Sequence, residues 1–424
     1  METLILVFAI AGLATQLVIV VLALFEPPLA YEIAEFPGVP LGSKEFARVL
    51  AVVSDAHLHS DSAVEVLTNG TVFYEAELTA IRSARSHICL EAYIFRKGNV
   101  AATFLSALTE RARNGVEVRL VLDAVGSFNT PRGLFAELIA AGGRVCWYMP
   151  FRWYNLSRFN NRTHREMLIV DGTVAFVGGA GVADHWYKGD SRDKAWRDTM
   201  VCVRGSAIAS LQSIFAENWL ESSGELLTAS RYFPVDAGTG TAQVMVIDST
   251  PSYGRATRAR TVFQVLIASA SRQIHLTTPY FLPDWSVRQA LINAMRRGVE
   301  VKIIVPGKHH DHLLTRRSSR RLYGSLLENG AEIYEYQRSM IHTKMLVVDG
   351  LWSVVGSTNF DSRSFGINDE VNVAALDEPL AARLEQDFEA DLLKAEKITF
   401  AAWRRRPPSE RVHEWLGWIL ERQE

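Results

Sequence analysis

The feature that most constrains this chain is an internal duplication. Residues 163–184, THREMLIVDGTVAFVGGAGVAD, match 341–362, IHTKMLVVDGLWSVVGSTNFDS, at an offset of 178. Two more blocks repeat in the same order: LTERARNGVEVRLVLD (108–123) with LINAMRRGVEVKIIVP (291–306), and LFAELIAAGGRVCWY (134–148) with LYGSLLENGAEIYEY (322–336). In each copy a helical stretch closes with Gly, a C-cap signal, and a β-branched run follows that reads as a buried parallel strand. A second helix and a second strand then lead into the segment that carries a histidine. A period near 180 residues is far too long for a solenoid. The pattern is therefore an α/β domain present twice, each copy a mixed β-sheet flanked by helices, with the two lobes related by a pseudo-twofold axis. The lobes are expected at 63–235 and 236–398.

What lies outside the repeats differs in composition. Thr3 to Phe25 carries no charge, and Gln16 is its only strongly polar side chain. As a helix those residues reach roughly 34 Å, enough to cross a hydrocarbon core of about 30 Å. A cleaved signal peptide is disfavoured, because no basic residue precedes the run and the run is long for that role. One transmembrane helix over residues 1–25 is the expectation. The first cations after it are Lys44 and Arg48, which tips the lobes toward the cytoplasm. Residues 26–62, with Pro27, Pro28, Pro37 and Pro40, read as a connector. Residues 399–424 form an amphipathic tail. Trp403 beside Arg404, Arg405 and Arg406 looks interfacial, and Trp415, Leu416, Trp418, Ile419 and Leu420 give a short helix an apolar face. That face suits a membrane surface and the protein's own lobes equally well.

Charge and cysteine usage exclude several classes. Lys and Arg number 45 against 47 Asp and Glu, a net charge of −2, without the basic excess of a nucleic-acid binder. Cys89, Cys146 and Cys202 form no CxxC pair and sit in apolar runs, so they read as buried thiols rather than a disulfide framework or a zinc site. There is no P-loop and no metal-ligand cluster.

The chemistry lies in the repeated histidine segments. His164 is followed seven residues later by Asp171, and His342 by Asp349. His342 and Lys344 are two apart and share one face of a strand. A cation beside an imidazole suits a phosphate, since the cation holds the oxygens while the ring attacks or protonates. Downstream, GSTNFDSRSFGINDE supplies Ser357 and Asn359 as polar donors and Glu370 as a carboxylate able to hold the ring in one tautomer.

With these motifs the sequence resembles the phospholipase D superfamily, marked by two copies of H-x-K-x4-D each followed by a Gly-Ser-x-Asn segment. The resemblance covers roughly residues 65–398. LEAYIF (90–95), TTPYFLPD (277–284), NNRTHREMLIVDG and GSTNFDSRSF are similar to the bacterial cardiolipin synthase group. The resemblance implies two phospholipase D-like lobes and a catalytic set of His164, His342, Lys344, Asp171, Asp349, Asp198 and Glu370. In it His164 becomes a phosphohistidine, and His342 is general acid and base. The near-symmetry of the lobes leaves the reverse order open. Asp198 and Glu370 stand where the family's histidine-orienting carboxylates sit. Glu166, Ser357, Asn359 and Arg197 are expected to bind substrate. No cofactor and no metal are implied.

The implied activity is transfer of a phosphatidyl group from a phosphatidylglycerol-like lipid to a second lipid, giving cardiolipin, at a bacterial inner membrane. One chain holds both motifs, so an oligomer is not required. Hydrolysis of a phospholipid, or less readily of a nucleic acid, is the alternative within this chemistry. A non-catalytic lipid-binding protein is the alternative outside it. That last reading comes from Glu166, which replaces the motif lysine in the first copy; Gly181, in place of the motif asparagine, is a second departure there. Each charge unit is worth roughly 3 kcal/mol against a phosphate about 6 Å away. Compensation is expected from Arg162, Arg165, Lys188, Arg192, Arg197 or Lys344, pairing with Glu166; alternatively Glu166 accepts a hydrogen bond from the acceptor alcohol.

Overall fold

The computed structural model describes residues 7, 8, 10–16, 18, 31–33, 35–153, 160–188, 194–234, 238, 240–250, 257–407 and 410. The first half supplies strands β1 (Leu58–Thr68), β2 (His87–Ala92), β3 (Glu117–Asp123), β4 (Arg144–Tyr148), β5 (Glu166–Val170), β6 (Val174–Gly178) and β7 (Thr199–Arg204). The second supplies β8 (Ala242–Ser249), β9 (Gln273–Thr277), β10 (Phe281–Leu282), β11 (Glu300–Pro306), β12 (Glu332–Tyr336), β13 (Met345–Val348), β14 (Trp352–Gly356), β15 (Phe360–Asp361), β16 (Glu370–Leu376) and β17 (Ala395–Ile398).

The duplication is visible in the strand order. The first lobe runs 1-7-6-5-2-3-4 and the second 8-16-14-13-9-11-12, with β17 added at its edge. β2, β3 and β4 are parallel, as are β9, β11 and β12, and every other pairing in the main sheet is antiparallel. The lobes are not two separate sheets. β1 pairs with β7 through its C-terminal half and with β8 through its N-terminal half, so fifteen strands form one sheet. The seam between lobes is thus a hydrogen-bonded ladder.

The core follows the same logic. One apolar cluster belongs to each lobe, and a third lies under the seam. There Phe215 and Trp219 of the helix Ala207–Ser223 and Leu384 and Phe388 of the helix Glu378–Leu392 pack on inner faces of strands from both halves, among them Val201, Val203 and Val373. Val, Ile and Ala dominate these strands because both sheet faces are covered, which the run HICLEA in β2 illustrates with all six residues buried.

The two motif aspartates close hairpins. Asp171 and Gly172 sit between β5 and β6 at φ +54° and +65°, and Asp349 and Gly350 sit between β13 and β14 at +56° and +68°. Asp tolerates this left-handed region better than most residues, and Gly adopts it freely. The Asp171 carboxylate also accepts from the backbone N–H groups of Arg85, Ser86 and His87. Asp349 accepts likewise from Ser271, Arg272 and Gln273.

Two expectations outside the repeats need correction. The stretch read as a connector contains the helix Lys44–Val53, capped by Ser43, whose hydroxyl accepts from Phe46 N–H. Phe46, Ala47, Leu50 and Ala51 are buried in the core of the second lobe, where Phe46 lies against Trp352. Trp403 is docked on the protein rather than interfacial. Its indole N–H donates to the Arg320 carbonyl at 2.7 Å and its ring fills the space above Gly324. Among the described residues no helix is long and apolar enough to cross a membrane. The span read at Thr3–Phe25 lies largely outside them, with residues 7, 8, 10–16 and 18 helical, and so does the apolar helix face at 415–420. Cys89, Cys146 and Cys202 are free, the first and last fully buried and Cys146 only partly so.

Candidate active site

His164 and Glu166 begin at the head of β5, and His342 and Lys344 occupy the same place before β13. Each segment enters from the interface between lobes, where a short parallel bridge fixes it. His164 N–H donates to the Asp369 carbonyl at 2.8 Å, and Asp369 N–H donates back to the Arg162 carbonyl at 2.9 Å. The second lobe reproduces this two-bond unit: His342 N–H to the Arg197 carbonyl at 2.7 Å, and Arg197 N–H to the Met340 carbonyl at 2.8 Å. Each histidine is therefore tied to the residue just before the other lobe's carboxylate.

The rings cross over in the same way. His164 Nδ1–H donates to Glu370, with its two oxygens at 3.1 and 3.0 Å. His342 Nδ1–H donates to Asp198 Oδ2 at 3.0 Å. Glu370 follows the second motif in sequence yet holds the first motif's ring, which corrects the local reading. A carboxylate can only accept, so each ring carries its proton on Nδ1 and directs Nε2 to the pocket. Glu370 is set in turn by Ser357, whose hydroxyl donates to it at 2.5 Å and accepts from Val371 N–H at 3.0 Å. Asp198 accepts from the Trp186 indole at 2.9 Å and Thr199 N–H at 2.8 Å.

Burial dominates the electrostatics. It raises the Asp198 carboxyl, but the hydrogen bond and charge of His342, together with Lys344, outweigh it and leave Asp198 below the ordinary carboxylate range. Burial and then the Lys344 charge lower His342, against the pull of Asp198. Lys344 is also lowered by burial, opposed by Asp198, Glu370, Asp311 and Glu166. Its Nζ donates to the His342 carbonyl at 3.0 Å and lies 3.1 and 3.2 Å from His342 Nδ1 and Nε2, off the lone-pair axis of Nε2. Asn359 is buried with its side-chain oxygen unpartnered, so it has capacity for a ligand.

Glu166 occupies the lysine's place but not the lysine's role. Its Oε1 accepts from the backbone N–H groups of Tyr93 and Ile94, both at 3.2 Å. Burial pushes its carboxyl well up, only partly opposed by those amides and the Lys344 charge. The expected pairing with an arginine does not form among the described residues. Arg162 faces Asp123, Arg165 pairs with Glu217 and Arg197 with Asp391, while Lys188 lies over Tyr187; Arg192 is outside the described residues. Lys344 acts on Glu166 through its field, not through an ion pair. Gly181 belongs to the same change. A β-carbon there would come within 2.3 Å of the Ile94 carbonyl and 2.9 Å of Glu166 Oε1. Gly179 likewise lets Lys344 approach, since a β-carbon would sit 3.0 Å from its Nζ.

His164, His342, Lys344, Asp198, Glu370 and Ser357 therefore converge at the interface, and Asn359 is buried two residues beyond Ser357. Asp171 and Asp349 do not: their carboxylates are consumed at the far ends of β5 and β13, so they are turn residues rather than catalytic groups. Arg197 is also displaced from its expected part, because its guanidinium is taken by Asp391, the Asp198 carbonyl and Thr199. Three aromatic residues were missed. Tyr93 lies 5.2 Å from the His164 ring, and Trp186 and Trp196 lie 5.6 and 5.5 Å from the His342 ring. Tyr93 stands in the quoted LEAYIF run; nothing local in sequence marks the tryptophans.

With this geometry in hand, the comparisons with known proteins are specific. The family profile described as "Cardiolipin synthase, PLD-like domain" matches residues 78–219 and 264–392. A cardiolipin synthase of Geobacillus kaustophilus is 32% identical over 94% of this chain and 80% of its own length. The major cardiolipin synthase of Bacillus subtilis is 33% identical over 89% of this chain and 79% of its own length. Among solved structures, phosphatidylserine synthase from Haemophilus influenzae superposes with a TM-score of 0.70 at 12% identity, covering 90% of this chain and all of that one. At that identity the likeness establishes the fold alone. Together with the two crossed histidine–carboxylate pairs, the profile and the relatives place the chain in the cardiolipin synthase family of phospholipase D-like proteins.

Proposed function

We propose that this chain is a phosphatidyltransferase that makes cardiolipin from two phosphatidylglycerol-like molecules through a phosphohistidine. The observation that carries this is the pair of imidazoles, each with Nδ1 held by a carboxylate of the opposite lobe and Nε2 left for chemistry. His164 is the nucleophile. Lys344 Nζ lies 3.1 and 3.2 Å from the two ring nitrogens of His342, and its charge lowers that imidazole's basicity, which favours His164 as the attacking ring.

His164 Nε2 bonds to phosphorus as the bond to the leaving glycerol oxygen breaks, and His342 gives that oxygen a proton from its own Nε2. The hydroxyl of the second lipid then returns a proton to His342 and attacks, breaking the phosphorus–nitrogen bond. Glu370 and Asp198 stabilise the imidazolium charge that develops in each half-reaction. Lys344 and the side-chain amide N–H of Asn359 donate to the non-bridging oxygens. Burial of both histidines disfavours water as the acceptor, which supports transfer over hydrolysis. The uncharged run Thr3–Phe25 supports a single membrane anchor, with the lobes on the cytoplasmic side of a bacterial inner membrane.

Purified full-length protein given phosphatidylglycerol labelled in its acyl chains is expected to yield cardiolipin. His164→Ala and His342→Ala are each expected to abolish product. Phosphatidic acid instead of cardiolipin identifies a hydrolase; no turnover by the parent chain leaves a lipid-binding protein and refutes the proposal.

A further inference from the structure

The strands β3 and β4 are parallel neighbours, so the loops that follow them emerge side by side at one sheet edge. Both loops lie next to His164. Asp123, at the end of β3, accepts from Thr163 N–H at 3.1 Å, and Arg162 donates to the Met149 carbonyl at 3.1 Å. Gly126 packs directly on Tyr93, whose ring meets His164 edge-on at 5.2 Å; a β-carbon there would come within 2.3 Å of the Tyr93 carbonyl. Phe128 is nonetheless 80% exposed, and in the neighbouring loop Phe151 and Trp153 are 68% and 79% exposed. Three large, mostly exposed aromatic side chains beside a buried site need a reason, because such exposure marks an interaction surface.

Charge says what the surface meets. The loops at this edge, 92–99, 124–136 and 149–153, contain no Asp or Glu. They carry Arg96, Lys97, Arg132 and Arg152, all exposed. Aromatic rings interleaved with cations, in loops that carry no acid of their own, match the interface of an anionic phospholipid bilayer. We infer that Phe128, Phe151 and Trp153 insert into the surface of such a bilayer and set the mouth beside His164 against the headgroup layer. The inference rests on the lipid-substrate reading above. It assigns the first lobe's loops, not the N-terminal run, to orienting the site.

The test uses the full chain with an environment-sensitive fluorophore on a cysteine at position 128 (F128C), and on a control at 226 (L226C). Leu226 is also exposed but follows Glu225, which pairs with Arg144 at the opposite end of β4. On phosphatidylglycerol vesicles carrying a nitroxide lipid, the probe at 128 should be quenched severalfold more than the probe at 226. A second variant, Phe128→Ser/Phe151→Ser/Trp153→Ser, should lose on the order of a hundredfold in turnover of vesicle lipid. It should keep parent turnover of a short-chain phosphodiester dissolved as monomers. Equal quenching at the two positions, or a triple variant with parent activity on vesicles, overturns the inference. Quenching confined to 128 in a chain that turns over no lipid upholds the docking surface while the transferase reading falls.

Discussion

At the scale of single residues, two buried glutamates behave differently from the charged groups that their letter implies. Burial pushes the Glu166 carboxyl well above its ordinary range, and its oxygen accepts two backbone amides. Glu166→Gln keeps that acceptor and the shape, so folding and turnover should stay near parental. Glu166→Lys restores the family letter but strands both amides at about 1–3 kcal/mol each and sets a second cation beside Lys344. It is expected to lose activity or stability, which product formation and urea unfolding of both variants will check. Glu77 is fully buried, and burial raises its carboxyl from 4.5 to about 8. The folded state thus keeps a proton that the unfolded chain releases. Its stabilising contribution is full below about pH 4.5 and is lost as pH rises toward 8, at roughly 1.4 kcal/mol per pH unit. Glu77→Gln should flatten that decline. Urea midpoints for parent and variant at about pH 5 and about pH 8 decide it, and parallel pH profiles would contradict it.

At the scale of elements, the helix Lys44–Val53 shows how chain order and spatial order part. It precedes the first lobe in sequence but packs on the second, with Phe46 only 1% exposed among Phe263, Trp352 and their neighbours. Deleting that ring leaves a cavity that the sheet cannot close. Phe46→Ala is therefore expected to cost about 3–5 kcal/mol, read from the shift in a denaturation curve. The proline-rich composition before it suits a connector, whereas the following ten residues carry a helical period. Trp403 carries a related lesson. Beside three arginines it looked interfacial, yet the groove over Gly324 takes the ring and the Arg320 carbonyl takes its N–H.

At the scale of the whole molecule, two lobes share one sheet and one central core. Ala207–Ser223 and Glu378–Leu392 each place their apolar faces in a cluster fed by strands of both halves. Each histidine is also tied by backbone and ring to the other half. Residues 1–235 and 236–424 expressed separately should therefore lack a cooperative thermal transition by circular dichroism, where the intact chain shows one. A sharp transition in either fragment alone would contradict the shared core.

The repeat itself was legible because duplication leaves the same glycine punctuation and β-branched runs twice in one chain. The α/β class, the parallel strands and the convergence on His164 and His342 followed from it, since periodicity and motif order are properties of the sequence alone. The roles of the carboxylates were not legible. Asp171 and Asp349 belong to the motif yet serve hairpin turns, because a left-handed φ and three backbone N–H groups consume them. Glu370 and Asp198 exchange partners across the interface because the pseudo-twofold axis brings each lobe's edge against the other's histidine. Glu166 and Gly181 read as two losses, and only packing shows them as one steric exchange. Sequence fixes which side chains are available; which of them meet is decided by distances between segments hundreds of residues apart, and those exist only in the folded chain.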